Sequence, residues 1–161
     1  MTENCDMQAV ARVAPRVELS LVRLVSLTVA WHAEPRGSLV PTLRHNFRPL
    51  ESERGRVGVL CEYHLAAHSE GQRVADIEVQ YLLGYEVRDS APIATSDLKH
   101  FAHANGAFHS WPFVRELLHE MTGRVGLRPF VLPVLVGVPA KTTSLPRVKA
   151  RPQKKVETTK G

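Results

Sequence analysis

The sequence predicts an α+β fold: a four-stranded antiparallel meander with two short helices on one face, followed by a basic C-terminal tail without regular structure. Three observations carry this. Up to Val87 the apolar residues recur at every second position in four separate stretches, the period of a half-buried strand. After Arg88 the spacing changes to three and four, the period of a helix face. From residue 140 onward Lys, Thr, Pro and Arg dominate, with almost nothing to bury, so that segment is expected to be disordered. Strands followed by helices imply helices segregated to one face of the sheet. A length of 161 residues suits one domain rather than two. The expected boundaries are an N-terminal segment with helical spacing at 1–16, the α+β domain at 17–139 and the tail at 140–161.

Met7, Val10 and Val13 sit at helical spacing before Pro15, which ends the run. Over 17–32, the odd positions Val17, Leu19, Leu21, Val25, Leu27, Val29 and Trp31 form one face, and the β-branched content favours a strand over a helix. Val22 and Leu24 interrupt the otherwise polar second face, so that face is expected to meet something apolar, such as a second subunit. Turn residues at 34–38 lead to a shorter, edge-like second strand carrying Leu43, His45 and Phe47 and ending near Pro49. The third strand presents Val57, Val59, Cys61, Tyr63 and Leu65, and Ser69-Glu70-Gly71-Gln72 is a hairpin loop. The fourth has the clearest alternation: Ala75, Ile77, Val79, Tyr81, Leu83, Tyr85 and Val87 face the core. Thr95 or Ser96 caps a first helix that Gly106 ends. A second starts at Ser110 with Pro112 in its first turn, buries Val114, Leu117, Leu118, Met121 and Val125, and stops at Gly126. The apolar stretch 130–138 is broken by Pro133 and Gly137.

Composition narrows the function. No uninterrupted apolar stretch approaches the roughly 20 residues of a membrane helix, and the N-terminus has no basic, apolar leader, so a cytoplasmic location is expected. Cys5 and Cys61 supply neither a disulfide framework nor a zinc set. The net charge is +5, yet residues 141–161 hold seven Lys or Arg and one Glu, so the preceding residues together sum to −1. Basicity therefore belongs to the tail, which alone suggests nucleic acid or an acidic partner. No Ser, Cys or carboxylate lies in a turn or Gly-rich loop suited to an activated nucleophile, so no catalytic residue, metal or cofactor is assigned and a non-enzymatic role is expected.

From Phe108 to Leu135 the chain resembles the signature stretch of SecB-type chaperones: an aromatic-Pro-aromatic entry at Trp111-Pro112-Phe113, Arg115-Glu116 on a helix, a turn at Gly126, and Pro129-Phe130 leading to Leu132-Pro133. Ile77-Glu78-Val79-Gln80-Tyr81 is similar to that family's fourth strand. The resemblance implies an export or holding chaperone, a homotetrameric dimer of dimers paired partly through first strands and helices, which wraps unfolded clients along apolar grooves. Members of the general export route are acidic and end in a second long helix and a tail that bind the SecA motor. Here Val136 to Pro139 stand where that helix begins and a basic tail follows. The resemblance thus runs less to a SecA partner than to solitary SecB-like proteins paired with toxin–antitoxin systems.

Two sets of candidate residues follow. Val22, Leu24, Phe108, Trp111, Phe113 and Phe130 are candidates to hold client side chains; the plainer alternatives are dimer contacts for the first two and core for the aromatics. Asp76, Glu78, Glu86 and Glu62 are candidates for partner docking, Glu78 matching the family's motor-docking surface, against the alternative of an ordinary solvated sheet face. His100, His103 and His109 cluster in sequence, but no further ligand is spaced to complete a metal set. The function expected is a holding chaperone for export or antitoxin protection. The competing expectation is a non-catalytic adaptor acting through its tail.

Overall fold

The computed structural model of the chain describes residues 5–50, 55–135, 142–144 and 147–149. A short helix α1 (Met7–Val13) is capped by Asp6, whose side chain accepts from the Gln8 amide, and Pro15 lies in the single 3-10 turn that follows. The strands are β1 (Val17–Trp31), β2 (Ser38–Leu50), β3 (Arg56–Ser69) and β4 (Gln72–Val87), and the long helix is α2 (Thr95–Arg124). All four strands are antiparallel, in the order β1-β4-β3-β2. The α+β class, with helices on one face of a four-stranded sheet, is as the alternation predicts. The meander is confined to β2, β3 and β4, because β1 returns to lie beside β4 instead of β2. A two-residue turn joins β3 to β4, with Glu70 and Gly71 both at positive φ (51° and 80°), the twist that a tight hairpin requires.

The two short helices expected around residues 95–106 and 110–126 are one helix of 30 residues. Gly106 does not end it. This glycine lets the helix approach the sheet closely: a Cβ there would lie 3.1 Å from Phe47 Cδ1 and 3.2 Å from Val59 Cγ1. Neither Thr95 nor Ser96 caps the helix, which starts after Ala94; Asp97 in its first turn is held instead by Arg12 of α1 at 2.8 and 2.9 Å. Gly126, at φ 79°, follows the end of α2 as expected.

The core lies between the sheet and α2. Leu39, Leu43, Phe47, Val59, Tyr63, Leu65, Ile77, Leu83 and Tyr85 meet Phe101, Ala102, Ala107, Trp111, Val114 and Leu118. Residues 127–135 run back without regular structure, with Leu127, Phe130 and Leu132 buried. This strap is pinned by a Phe130 amide bond to Thr122 Oγ1 (3.0 Å) and by Trp111 Nε1 donating to the Pro133 carbonyl (2.8 Å). The expectation of disorder from residue 140 is corrected in part: β5 (Thr142–Ser144) and β6 (Val148–Lys149) pair antiparallel with β2. Without them β2 would present a row of unpaired backbone groups. The rest of the expected tail, and 136–138 of the apolar stretch, fall outside the described residues.

Candidate functional site

Strand β1 contains two irregularities that the alternation could not reveal. Its register against β4 shifts between Leu19 and Leu21 and again between Leu24 and Ser26. Each shift inserts one extra residue, Ser20 and then Val25, and reverses the phase of the side chains. Cross-strand partners share a face, so Leu24 opposite Tyr81, Leu27 opposite Val79, Val29 opposite Ile77 and Trp31 opposite Ala75 all point to the helix side. Val22, opposite Leu83, joins them. The expectation that Val22 and Leu24 break the second face of β1 is thereby corrected: the bulge at Ser20 carries both to the helix side, and Leu21, opposite Gly84, takes the outer face in their place.

What distinguishes these residues is that no helix among the described residues covers them. Helix α2 packs on β2, β3 and β4 and hardly touches β1. Leu24 is 43% exposed, Leu27 and Val29 37% each and Trp31 40%, whereas their partners Ile77, Val79 and Ala75 are each 1% exposed. Phe113 extends the surface from α2: it is 42% exposed, and its ring lies 6.2 Å from that of Tyr81, the cross-strand partner of Leu24. The result is an apolar ledge along the β1 side of the helix face. Among the described residues β1 pairs only with β4, so its outer backbone edge is also unpaired.

Of the six residues expected to bind clients, Leu24 and Phe113 lie on the ledge and Val22 is half-buried at its base against the core. Phe108 is 67% exposed on α2, beside His109. Trp111 and Phe130 are core residues, 5% and 2% exposed, so the alternative applies to them: they fix the strap and do not line an accessible groove. Leu27, Val29 and Trp31 escaped selection because they were assigned to the buried face. Val131 and Val134 on the strap are also exposed, and Val131 borders an open groove with Pro112, Arg115, Glu116, His119 and Glu120.

The four acidic candidates share the opposite, outer face of the sheet but do not form one acidic patch. Asp76 is nearly buried and bonded to His32 Nε2 (2.6 Å), His64 Nε2 (2.7 Å) and the Arg73 guanidinium. Burial pushes its carboxyl up, but Arg73, His64 and His32 together outweigh that and hold it below the usual range. Glu62 is engaged by Asn46 (3.0 Å), Gln80 (3.3 Å) and Arg48 (3.6 Å). Glu78 and Glu86 are exposed, Glu86 opposite Arg56.

The interior offers no activated nucleophile among the described residues. Cys61 is buried, donates weakly to the Gly106 carbonyl, and desolvation pushes its thiol up to about 12. Tyr63 shares a 2.6 Å bond with Ser110, and Tyr85 one of 2.9 Å with His109; burial raises both phenols. His100 accepts from the Asp6 amide, while His109 turns to Tyr85, so the histidines expected to be structural have separate partners. Among the described residues no group of His, Cys, Asp or Glu is placed to hold a metal, and no helix is long and apolar enough to cross a membrane.

No protein-family model matches the chain. It is similar to the SecB-like chaperones Rv1957 and MT2006 of two Mycobacterium tuberculosis strains, each 24% identical over 155 residues, covering 83% of this chain and 86% of theirs. Among solved structures it is similar to the Mycobacterium tuberculosis Rv1957 SecB-like chaperone in complex with a ChAD peptide from the Rv1956 HigA1 antitoxin. The TM-score is 0.70 at 24% identity, over 80% of this chain and 97% of that one.

Proposed function

From a SecB-like fold and a sequence that resembles SecB-like chaperones, we propose that this chain is a holding chaperone which keeps non-native polypeptide soluble, with an antitoxin as client. The observation that carries the reading is the ledge: Leu24, Leu27, Val29, Trp31 and Phe113 stay accessible on a face where every other strand is covered. Extended client segments lie along it, gaining shape-tolerant apolar contact and pairing with the open backbone edge of β1. Sister copies cover part of the same edge in a dimer of dimers, and one client spanning several ledges gains avidity without any cofactor. An antitoxin client is favoured over general export because the structurally similar chaperone binds an antitoxin peptide.

The test is suppression of aggregation of a chemically unfolded protein, with the mass in solution measured alongside. The parent is expected to be oligomeric and to suppress aggregation. Leu24→Asp with Leu27→Asp is expected to weaken suppression about tenfold or more, since each leucine contributes roughly 1.5 kcal/mol or more when a client covers it. A monomer indifferent to unfolded chains would remove the reading.

A further inference from the structure

The outer face of the sheet, away from the ledge, carries a feature of opposite chemistry. Its side chains fall in rows across the strands: Thr28, Glu78, His64 and Arg44 in one, then Ala30, Asp76, Ala66 and Thr42, with His68 and Arg73 beyond. Toward β2, Thr42, Arg44, His64, Ala66, His68 and Arg73 enclose a hollow of about 160 Å³. The small side chain of Ala66 leaves the space, and two guanidinium groups, two imidazoles and a hydroxyl surround it. All of these are donors or donor-capable. Asp76, across from Ala66, engages Arg73 and His64 as well as His32, so of the two guanidinium groups it is Arg44, with no salt bridge among the described residues, that is left to meet an incoming carboxylate. Strands β5 and β6 pair with β2 at Thr42–Arg44 and Ser38–Leu39, and Arg147, just before β6 in sequence, is exposed.

We propose that this hollow binds acidic side chains of a short, extended polypeptide segment, with the exposed Arg147 as a second contact. Its volume fits a carboxylate or two and is below that of ordinary small-molecule sites. Acidic residues at alternate positions of an extended segment repeat every ~6.8 Å, the same spacing as Thr42 and Arg44 along β2. A continuous polyphosphate fits less well. Glu78 lies directly across from His64, and Glu62 one row further, so a long anionic strand would run onto carboxylates. These rows also present no aromatic ring on which bases could stack.

The full-length chain is titrated against a fluorescent peptide about five residues long with Glu at its second and fourth positions, its Gln counterpart, and a labelled oligothymidine of similar length. The expected result is binding of the Glu peptide that weakens with salt, and falls about tenfold in Arg44→Ala and several-fold in His68→Ala and in Arg147→Ala with Lys149→Ala. Arg23→Ala, on the same face but remote, and Leu27→Asp, on the ledge, are expected to bind as the parent does. Retention in Leu27→Asp separates this site from the chaperone reading. The proposal is overturned if the Glu and Gln peptides bind equally, if Arg44→Ala leaves affinity unchanged, or if oligothymidine binds more tightly and independently of Arg44.

Discussion

The two outermost strands of the main sheet, β2 and β1, carry similar apolar residues toward the helix side and have opposite fates. On β2, Leu39 and Leu43 are fully buried and Phe47 is 7% exposed; on β1, Leu24, Leu27, Val29 and Trp31 are 37–43% exposed. Residue chemistry does not explain the difference. Geometry does: a helix with its side chains is roughly 10–12 Å across, and strands lie about 4.8 Å apart, so one helix covers two or three strands and leaves the fourth. Gly106 decides which, by letting α2 approach within contact of Phe47 and Val59 on the β2–β3 side. The backbone edges differ in the same sense, since among the described residues β2 is paired by β5 and β6 while the outer edge of β1 has no partner strand. Exposure of a greasy strand is therefore a property of helix placement, and it marks the surface on which function is proposed.

The contrast can be broken or sharpened by substitution. The largest effect is expected for Leu43→Ala on the covered side, a loss of about 2–5 kcal/mol in chemical denaturation. A smaller loss, about 1–3 kcal/mol, is expected for Asp76→Asn, which frees the end of β1 at His32 from β3 and the hairpin arginine. That difference depends on pH in a fixed direction. Burial raises the Asp76 carboxyl, but its three partners lower it further, so the folded value lies below the unfolded one. The stabilisation is complete above about pH 4 and is lost as pH falls through the lower folded value. Parent and variant denaturation curves should accordingly converge in strong acid; a gap that persists there would mean that the carboxylate's charge is irrelevant. The smallest effect is expected for Leu27→Ala, within about 0.5 kcal/mol in the dilute chain. A loss as large as that of Leu43→Ala at every protein concentration would show that the open side is not open.

Much of the sheet was legible beforehand. In β4, every second residue from Ala75 to Tyr85 is buried, because a strand covered on one face and regular throughout transmits its period directly to the sequence. The end of α2 was legible in Gly126 for a similarly local reason, since the left-handed conformation there favours glycine. The candidate site was legible only in outline. Excess apolar residues on β1 signal an uncovered surface, but the bulge at Ser20 moves Val22 and Leu24 to the helix side and the bulge at Val25 restores the original phase, so Leu27, Val29 and Trp31 keep the apolar face the alternation predicts. That α2 leaves this part of the face uncovered is not in the pattern. Gly106 and Pro112 look like helix breakers locally, yet packing against the sheet keeps α2 continuous through both. Trp111 and Phe130, attractive as groove aromatics, fill the core instead.

By itself the sequence determined the quantities that depend on near neighbours along the chain: which stretches extend, which coil, where a turn needs positive φ, and how charge is divided between body and C-terminal segment. The tertiary structure alone decided that β1 lies beside β4, that one helix crosses toward β2, and that four apolar residues are left facing solvent while a carboxylate is shared by two histidines and an arginine. Those outcomes depend on how wide a helix is compared with a sheet, and on contacts between residues far apart in the chain, neither of which a local pattern records.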